Sequence, residues 1–290
     1  MKIRRLETPR CRVGEGPVWD VAEQALYFLD ITGHKIHRHD PASGATRTWE
    51  TPSGVGALAL RQAGGAALAM KDKVYGLDFA TGAFELLATA DQAPARATFN
   101  DGKVDRRGRF VIGLCDTDMA DPQPIGGLYS LSADHRMKVL DTGICFSNSP
   151  CFAPDDRTLY FADSQEYALY AYDYDIETGA AAGRRVLVDT RALGGMPDGA
   201  TVDRDGLIWM AIFRGHKVVA LRPDGGVERI VDMPVSMAVS VSFGGPDLDQ
   251  LYVTTIDPQS FGEPAEDGAG YVYVVEGLGA RGLPEPRYAG

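Results

Sequence analysis

Side chains with hard oxygen donors stand at corresponding places in three separated stretches of the chain. They are Glu15 in GEGPVW, Asn148 in SNSPCF and Asp198 in PDGATV, each at the opening of a short apolar run. Carboxylate and amide oxygens are the ligands that hard divalent cations prefer, and three protein ligands leave positions for water and a substrate. The set predicts a site for one divalent metal ion, and the donor types alone are compatible with Ca²⁺, Mg²⁺, Mn²⁺, Zn²⁺ or Fe²⁺.

Each of these residues, taken alone, has a second interpretation. Asp and Asn followed by Gly are typical of turns, and both Asp198-Gly199 and Asn100-Asp101-Gly102 have this form. Their recurrence at corresponding places favours the metal interpretation, provided that the fold brings those places together. A weaker metal candidate is the pair His37 and His39, which share a strand face in KIHRHD; an exposed face of an outer strand is the alternative.

The fold that would bring them together is indicated by a repeat. Six similar openings occur along the chain, and a spacing of roughly 40–50 residues is typical of a propeller blade of four strands. Hairpin turns separate the apolar runs within each repeat, and helical periodicity is close to absent. The sequence predicts an all-β, six-bladed β-propeller with four antiparallel strands per blade. The openings are GEGPVW, VGALAL, NDGKVD, SNSPCF, PDGATV and SMAVSV.

The last repeat shows only three strands of its own. The extended segment Lys2–Glu7 is left over at the other end of the chain, so we expect it to supply the missing outer strand and close the ring. A propeller needs all its blades, which favours one domain over residues 1–290. Two long, polar insertions, Cys115–Gly126 and Pro258–Gly268, are expected to cover a mouth of the central channel.

Composition excludes several classes of partner. The formal net charge of −11 argues against a nucleic-acid or anionic membrane partner, because basic patches bind those surfaces.

The sequence also suggests where the protein is found. No apolar run follows the N-terminal charges and no apolar stretch is long enough to span a membrane, so we expect a cytoplasmic protein. The four cysteines form no C-x-x-C pair, which favours reduced thiols. We also expect a monomer.

An ordered set of motifs resembles one protein family. The chain is similar to the six-bladed propellers of the senescence-marker-protein, gluconolactonase and luciferin-regenerating-enzyme family over essentially its whole length. The set is more specific than any one of its motifs. They are GEGPVW (14–19), FNDGKVDRRGRF (99–110), GGLYSL (126–131), SNSPCFAPDDRTLYFADS (147–164) and MPDGATVDRDGLIWMA (196–211).

The resemblance assigns roles to these positions. It implies that Glu15, Asn148 and Asp198 are the metal ligands, with Asp198 also the general base. Asn100 would be a further ligand or a substrate contact, and Asp118 stands where the family often has an acidic substrate contact. The chain departs from the family at Thr98, where many members have an arginine that contacts substrate hydroxyls.

An arginine does lie two residues earlier in the sequence, at Arg96. Residues two apart on a strand face the same side, so Arg96 and Thr98 are both predicted substrate-binding positions. The sugar-recognition shell is nonetheless expected to differ from that of the family.

The function that the resemblance implies is metal-dependent hydrolysis of a sugar lactone to an aldonic acid. A lactone of the xylonolactone or gluconolactone type, with a 1,4 or 1,5 ring, is the expected partner. Two alternatives remain open from the sequence: a calcium-binding regulatory or scaffold propeller, and an esterase or organophosphatase that uses the same metal site.

Overall fold

The computed structural model describes residues 1–290 and contains 24 strands and two short 3₁₀ turns, Thr190–Leu193 and Pro258–Phe261. The strands form six four-stranded antiparallel sheets, the architecture of a six-bladed β-propeller, so the predicted fold class is confirmed. The chain divides into two compact units, residues 1–54 with 190–285 and residues 55–189 with 286–290. That the whole chain forms one domain stays a prediction.

The first unit contains three of the sheets. Sheet I comprises β2 (Gly14–Asp20), β3 (Ala25–Asp30), β4 (Lys35–His39) and β5 (Thr46–Glu50). Sheet V comprises β18 (Met196–Val202), β19 (Ile208–Phe213), β20 (Lys217–Leu221) and β21 (Val227–Asp232). Sheet VI comprises β22 (Ala238–Gly244), β23 (Gln250–Thr255), β24 (Tyr273–Glu276) and β1 (Lys2–Arg5).

The second unit contains the other three. Sheet II comprises β6 (Ala57–Leu60), β7 (Ala66–Met70), β8 (Lys73–Leu77) and β9 (Phe84–Thr89). Sheet III comprises β10 (Ala97–Val104), β11 (Phe110–Asp116), β12 (Gly126–Leu131) and β13 (Met137–Ile144). Sheet IV comprises β14 (Ser147–Phe152), β15 (Thr158–Asp163), β16 (Ala168–Asp175) and β17 (Ala180–Asp189).

The N-terminal strand completes sheet VI, as predicted. β1 pairs antiparallel with β24, with Lys2 opposite Glu276 and Arg5 opposite Tyr273. Leu6 then donates its backbone N–H to Val272 O at 2.8 Å and buries its side chain in an apolar cluster that includes Trp19 and Val274. The N-terminal strand and the last repeat therefore share one sheet, which removes an open strand edge.

Deleting residues 1–8 is expected to lower the midpoint of thermal unfolding. The truncation uncovers the edge of β24 and removes the Leu6 side chain, and emptying a buried leucine site typically costs about 2–5 kcal/mol. Arg4→Ala is the control, because it removes only an exposed ion pair with Glu276 at 3.8 Å. An unchanged midpoint in the truncated chain would show that β1 contributes nothing to stability.

The second strand of each sheet is more apolar than an alternating pattern allows. All six residues of β3 (ALYFLD) are buried. Leu26 and Phe28, which are two residues apart and share one face, join a cluster with Tyr252 of sheet VI. Strands covered on both faces have continuous rather than alternating apolar runs.

Buried aspartates stabilise the turns between first and second strands. Asp105 accepts backbone N–H groups of Arg107 and Arg109, both at 2.9 Å, and the Tyr174 hydroxyl at 2.6 Å. Asp203 accepts the Leu207 N–H and the Trp209 indole N–H in the same way, at 2.9 and 2.8 Å. The recurring VDR-x-G sequence is therefore a structural element.

The C-terminal segment Pro286–Gly290 belongs to the second unit. Tyr288 is fully buried. It donates its N–H to Leu60 O at 2.8 Å and its hydroxyl to Ser132 O at 2.8 Å.

All four cysteines are buried and none forms a disulfide. No helix of the structure is long and apolar enough to cross a membrane.

Candidate metal centre and active site

Glu15 and Asn148 occupy equivalent positions, each immediately before a β-bulge in the first strand of its sheet. In β2 the pairing shifts between Glu15 and Val18, and in β14 it shifts between Asn148 and Cys151. The next residue has a positive φ in both strands, +52° at Gly16 and +61° at Ser149, and a proline follows. Because a bulge interrupts the hydrogen-bond ladder and redirects a side chain, it gives these two residues the same local setting.

Asp198 lies within the third bulge, one position further along its strand. The pairing of β18 shifts between Pro197 and Ala200, and Asp198 is 7% exposed. One carboxylate oxygen accepts the Gly199 N–H at 3.0 Å. A Cβ at Gly199 would lie 2.1 Å from Ser240 Oγ, so the close approach of β18 to β22 requires glycine here.

The two carboxylates belong to the same compact unit. Glu15 is half-buried, and its Oε2 accepts the Gly16 N–H at 2.9 Å, the counterpart of the Asp198 contact. The strands β2 and β18 both contact β22, so Glu15 and Asp198 lie at the starts of strands on either side of it.

The second unit brings Asn100 and Asn148 together. Asn148 is 3% exposed and donates its amide Nδ2 to Ser164 Oγ at 3.0 Å. Its Oδ1 accepts the Asn100 amide at 3.1 Å, and the same Asn100 nitrogen donates to Ser147 O at 2.8 Å. These contacts orient the Asn148 side chain, so that its oxygen, which has two lone pairs, is the atom able to act as a ligand.

Asp101 links the bulges of β10 and β14. It stands in the bulge of β10 with φ +49°, and its carboxylate accepts the backbone N–H groups of Gly102 and Ser149, both at 2.8 Å. In the sequence, Asp101 stands out only as part of the possible turn Asn100-Asp101-Gly102. Here it fixes the backbone next to Asn148.

The predicted substrate residues lie around β10 and the loop after β11. Thr98 is half-buried on β10 and pairs with Cys115. Arg96 donates to the buried Asp116 at 2.5 Å, while its other terminal nitrogen lies 3.9 Å from Asp118. Arg96 therefore ties the start of β10 to the insertion after β11, and that contact occupies part of its guanidinium.

Two aspartates that the sequence did not single out anchor the segments leading to Glu15 and Asn148. Asp30, at the end of β3, accepts the backbone N–H groups of Arg12 and Val13, both at 3.1 Å. Asp163, at the end of β15, accepts those of Cys145 and Phe146 at 2.7 and 3.0 Å. Burial raises the pKa of Asp163, and these hydrogen bonds oppose the rise. Neither residue contacts the site directly.

The histidine candidate is not an exposed strand face. His37 and His39 are 2% and 3% exposed, and their Nδ1 atoms contact Thr48 Oγ1 at 2.8 Å and Thr46 Oγ1 at 2.9 Å. Burial lowers the pKa of His37 to about 4, so this imidazole is neutral at neutral pH. The His37 ring also packs on the Phe28 ring, with the centroids 4.9 Å apart.

The structure contains no group of three or more His, Cys, Asp or Glu side chains arranged to bind a metal. The predicted set is of another kind, two carboxylates and one amide. Its chemistry fits a hard cation: Glu15 and Asp198 supply negative charge, and the hydrogen bonds of Asn148 direct a neutral oxygen.

Comparison with known proteins agrees with this architecture. Residues 13–257 match the family model described as SMP-30/Gluconolactonase/LRE-like region. Regucalcin of Oryctolagus cuniculus is 34% identical over 298 residues, which cover 100% of this chain and 99% of the relative.

Two solved structures are similar over nearly the whole chain. A luciferin-regenerating enzyme superposes with a TM-score of 0.91 at 26% identity, covering 99% of each chain. A calcium-binding protein, regucalcin of Agrobacterium tumefaciens, gives 0.90 at 27% identity, covering 99% of this chain and 97% of the other. The chain belongs to the SMP-30/gluconolactonase/LRE-like family.

Proposed function

We propose that this protein is a metal-dependent lactonase that hydrolyses a sugar 1,4- or 1,5-lactone of the xylonolactone or gluconolactone type to the aldonic acid. The observation that carries the proposal is the pair of carboxylates, Glu15 and Asp198, which stand at the bulges of the first strands of two sheets in a chain of this family. A lactone is a cyclic ester, so its hydrolysis needs an activated water and a polarised carbonyl.

In this proposal Glu15, Asn148 and Asp198 hold one divalent cation. A cation bound by such ligands supplies Lewis acidity, which polarises an ester carbonyl and makes a water molecule more acidic. The oxygen donors do not select one metal, and the name of the Agrobacterium tumefaciens relative supports calcium as one candidate.

Asp198 is the proposed general base. Its carboxylate is almost fully buried and is held by the Gly199 N–H at Oδ1. It takes the proton of the attacking water as the water oxygen bonds to the carbonyl carbon. The ring C–O bond then breaks, and the proton passes to the leaving alkoxide, so that one water is consumed and one hydroxy acid is formed. A positioned base typically contributes about 10²–10⁴ in rate.

Asn100, Thr98, Arg96 and Asp118 are the proposed substrate contacts. Asn100 and Thr98 are alternate residues of β10 and so face the same side, next to Asn148. Arg96 has a second task in holding Asp116, and Asp118 is exposed on the insertion. The donors and acceptors of this group suit sugar hydroxyls.

A calcium-binding regulatory protein is the second candidate. The relatives named regucalcin and the one described as a calcium-binding protein favour it. In that case the same three ligands bind calcium and lactones are not turned over.

One experiment separates the two candidates. Metal-free protein is reconstituted with each cation in turn, and acid release is measured from xylono- and gluconolactones, with a linear ester and a phosphotriester as comparison substrates. We expect hydrolysis of the lactones that is lost on chelation and restored by a divalent cation. Full activity in chelator-treated protein would refute the metal mechanism, and metal binding without hydrolysis would favour the regulatory candidate.

A further inference from the structure

The hairpin that follows β19 differs from its counterparts in sheets I and IV. Asp30 lies opposite Gly14 and Asp163 opposite Ser147, whereas the equivalent residue opposite Met196 is Phe213. The loops that follow also differ: residues 31–34 and 164–167 have four residues each, but the loop after Phe213 has three, 214–216. Sheet V has therefore replaced an anchoring carboxylate with an aromatic ring.

This ring forms a small cluster with two residues of neighbouring segments. The Phe213 and Phe261 rings meet at 6.0 Å with an interplanar angle of 65°. The Arg214 guanidinium lies over both, 5.3 Å from the Phe213 centroid and 6.0 Å from that of Phe261. Glu263 forms an ion pair with Arg214. Phe261 is 47% exposed, so a large aromatic surface stays open to solvent.

The cluster lies at the end of the first unit where Glu15 and Asp198 are found. Phe213 is paired with Met196, two residues before Asp198. Phe213 also packs on the apolar group Met237, Val239 and Ile256, as does Val13, two residues before Glu15.

The segment that carries Phe261 is tied down on both sides of the cluster. On one side, Asp257 N and Ser260 Oγ both donate to Arg12 O, at 3.0 and 2.9 Å. On the other side, Glu266 accepts the Ser236 N–H at 3.0 Å and the Ser236 hydroxyl at 2.6 Å. The exposed ring is thus part of a segment fixed at both ends.

We propose that Phe261 and Arg214 form a specificity surface for polyhydroxylated lactones, an inference that rests on the proposed function. The Phe261 ring packs against the C–H face of the sugar ring, and Arg214 donates hydrogen bonds to its hydroxyls. Arginine offers five N–H donors in a planar fork, so the pair with Glu263 orients the group without using all of them.

The test compares a hydroxylated ligand with a bare ring. Arg214→Ala is assayed on D-glucono-1,5-lactone and on δ-valerolactone, and its binding of the non-hydrolysable D-glucono-1,5-lactam and δ-valerolactam is measured by calorimetry. We expect KM for the gluconolactone and Kd for the gluconolactam to rise about tenfold or more, as for lost hydrogen bonds to a charged group. KM for δ-valerolactone, Kd for δ-valerolactam and kcat for both lactones should change less than about twofold, which is the usual range for a surface substitution.

Two further variants distinguish lost hydrogen bonds to the ligand from a general structural effect of the substitution. Arg214→Lys, which keeps the charge, should recover part of the gluconolactam affinity. Arg222→Ala removes an exposed arginine that pairs with Glu228 elsewhere in sheet V. This variant should change the affinity for neither lactam. Equal losses on both rings, or no loss on either, would overturn the proposal.

The outcome is also distinct from that of the proposed function. If the wild-type protein hydrolyses no lactone but binds the gluconolactam through Arg214, the recognition surface stands and the hydrolase assignment fails. If it hydrolyses lactones and Arg214→Ala is indistinguishable from wild type, the hydrolase assignment stands and the recognition surface fails. If wild type neither binds the lactam nor hydrolyses a lactone, both fail.

Discussion

Asp198→Asn is expected to lower kcat for lactone hydrolysis about 10³-fold or more while leaving the fold unchanged. The substitution removes the proposed base, whose contribution is typically about 10²–10⁴, and also takes one negative charge from the metal ligands. The asparagine oxygen still accepts the Gly199 N–H that holds Asp198 at 3.0 Å. Acid release measures the rate, and circular dichroism with thermal unfolding checks the fold.

Asp205→Asn is the matched control. Asp205 is an exposed residue in the turn that follows the same strand, so its substitution removes a carboxylate without touching the proposed site. Its activity should equal that of wild type. An Asp198→Asn protein that keeps more than a tenth of wild-type kcat would exclude Asp198 as the base.

Asp105→Ala is expected to lower the free energy of unfolding by about 3–5 kcal/mol, the cost of removing one partner of a buried ion pair. The Asp105 side chain is fully buried, and its Oδ2 accepts from Arg109 Nε and from the Tyr174 hydroxyl, both at 2.6 Å. Its loss leaves the buried Tyr174 hydroxyl, the partly buried Arg109 guanidinium and the turn N–H groups without this acceptor. Urea unfolding measures the effect, and the thermal midpoint should fall by roughly 6 °C or more.

Two variants test whether the charge or the backbone contacts matter. Asp105→Asn keeps an oxygen for the turn N–H groups and should lose less stability than the alanine variant. Asp173→Ala removes the exposed carboxylate that pairs with Arg185 at 2.9 Å, and such pairs contribute little. If the Asp105→Ala and Asp173→Ala proteins unfolded at the same urea concentration, the buried network would have no special role.

The fold was readable from the sequence because the same pattern occurs six times. Turn residues bound every apolar run, and the shortage of one strand in the last repeat indicated that Lys2–Glu7 would complete it, which β1 confirms. The burial of β3 was not readable in the same way. The short apolar run ALYFLD does not by itself show whether neighbouring sheets cover one face of the strand or both.

The site was readable only in part. The motifs pointed to Asn100 and Asn148, and the hydrogen bond between their amides places them in contact. The anchoring roles of Asp30 and Asp163 could not be predicted from the sequence. An aspartate at the end of a strand gives the same sequence pattern whether it caps a turn or accepts hydrogen bonds from a distant backbone segment. The role of Phe213 could not be predicted from the sequence for a related reason. Only the strand pairing shows that Phe213 occupies the position that Asp30 and Asp163 occupy in their own sheets.

Binding of Mn²⁺ to metal-free protein, monitored by electron paramagnetic resonance, tests whether three side chains share one ion. The proteins compared are wild type and the variants Glu15→Gln, Asn148→Ala and Asp198→Asn. We expect one high-affinity ion per chain in wild type and a loss of affinity of about tenfold or more in each variant, since each removes a ligand or a ligand charge. Wild-type affinity in all three variants would contradict this expectation, because Glu15, Asn148 and Asp198 would then not share an ion.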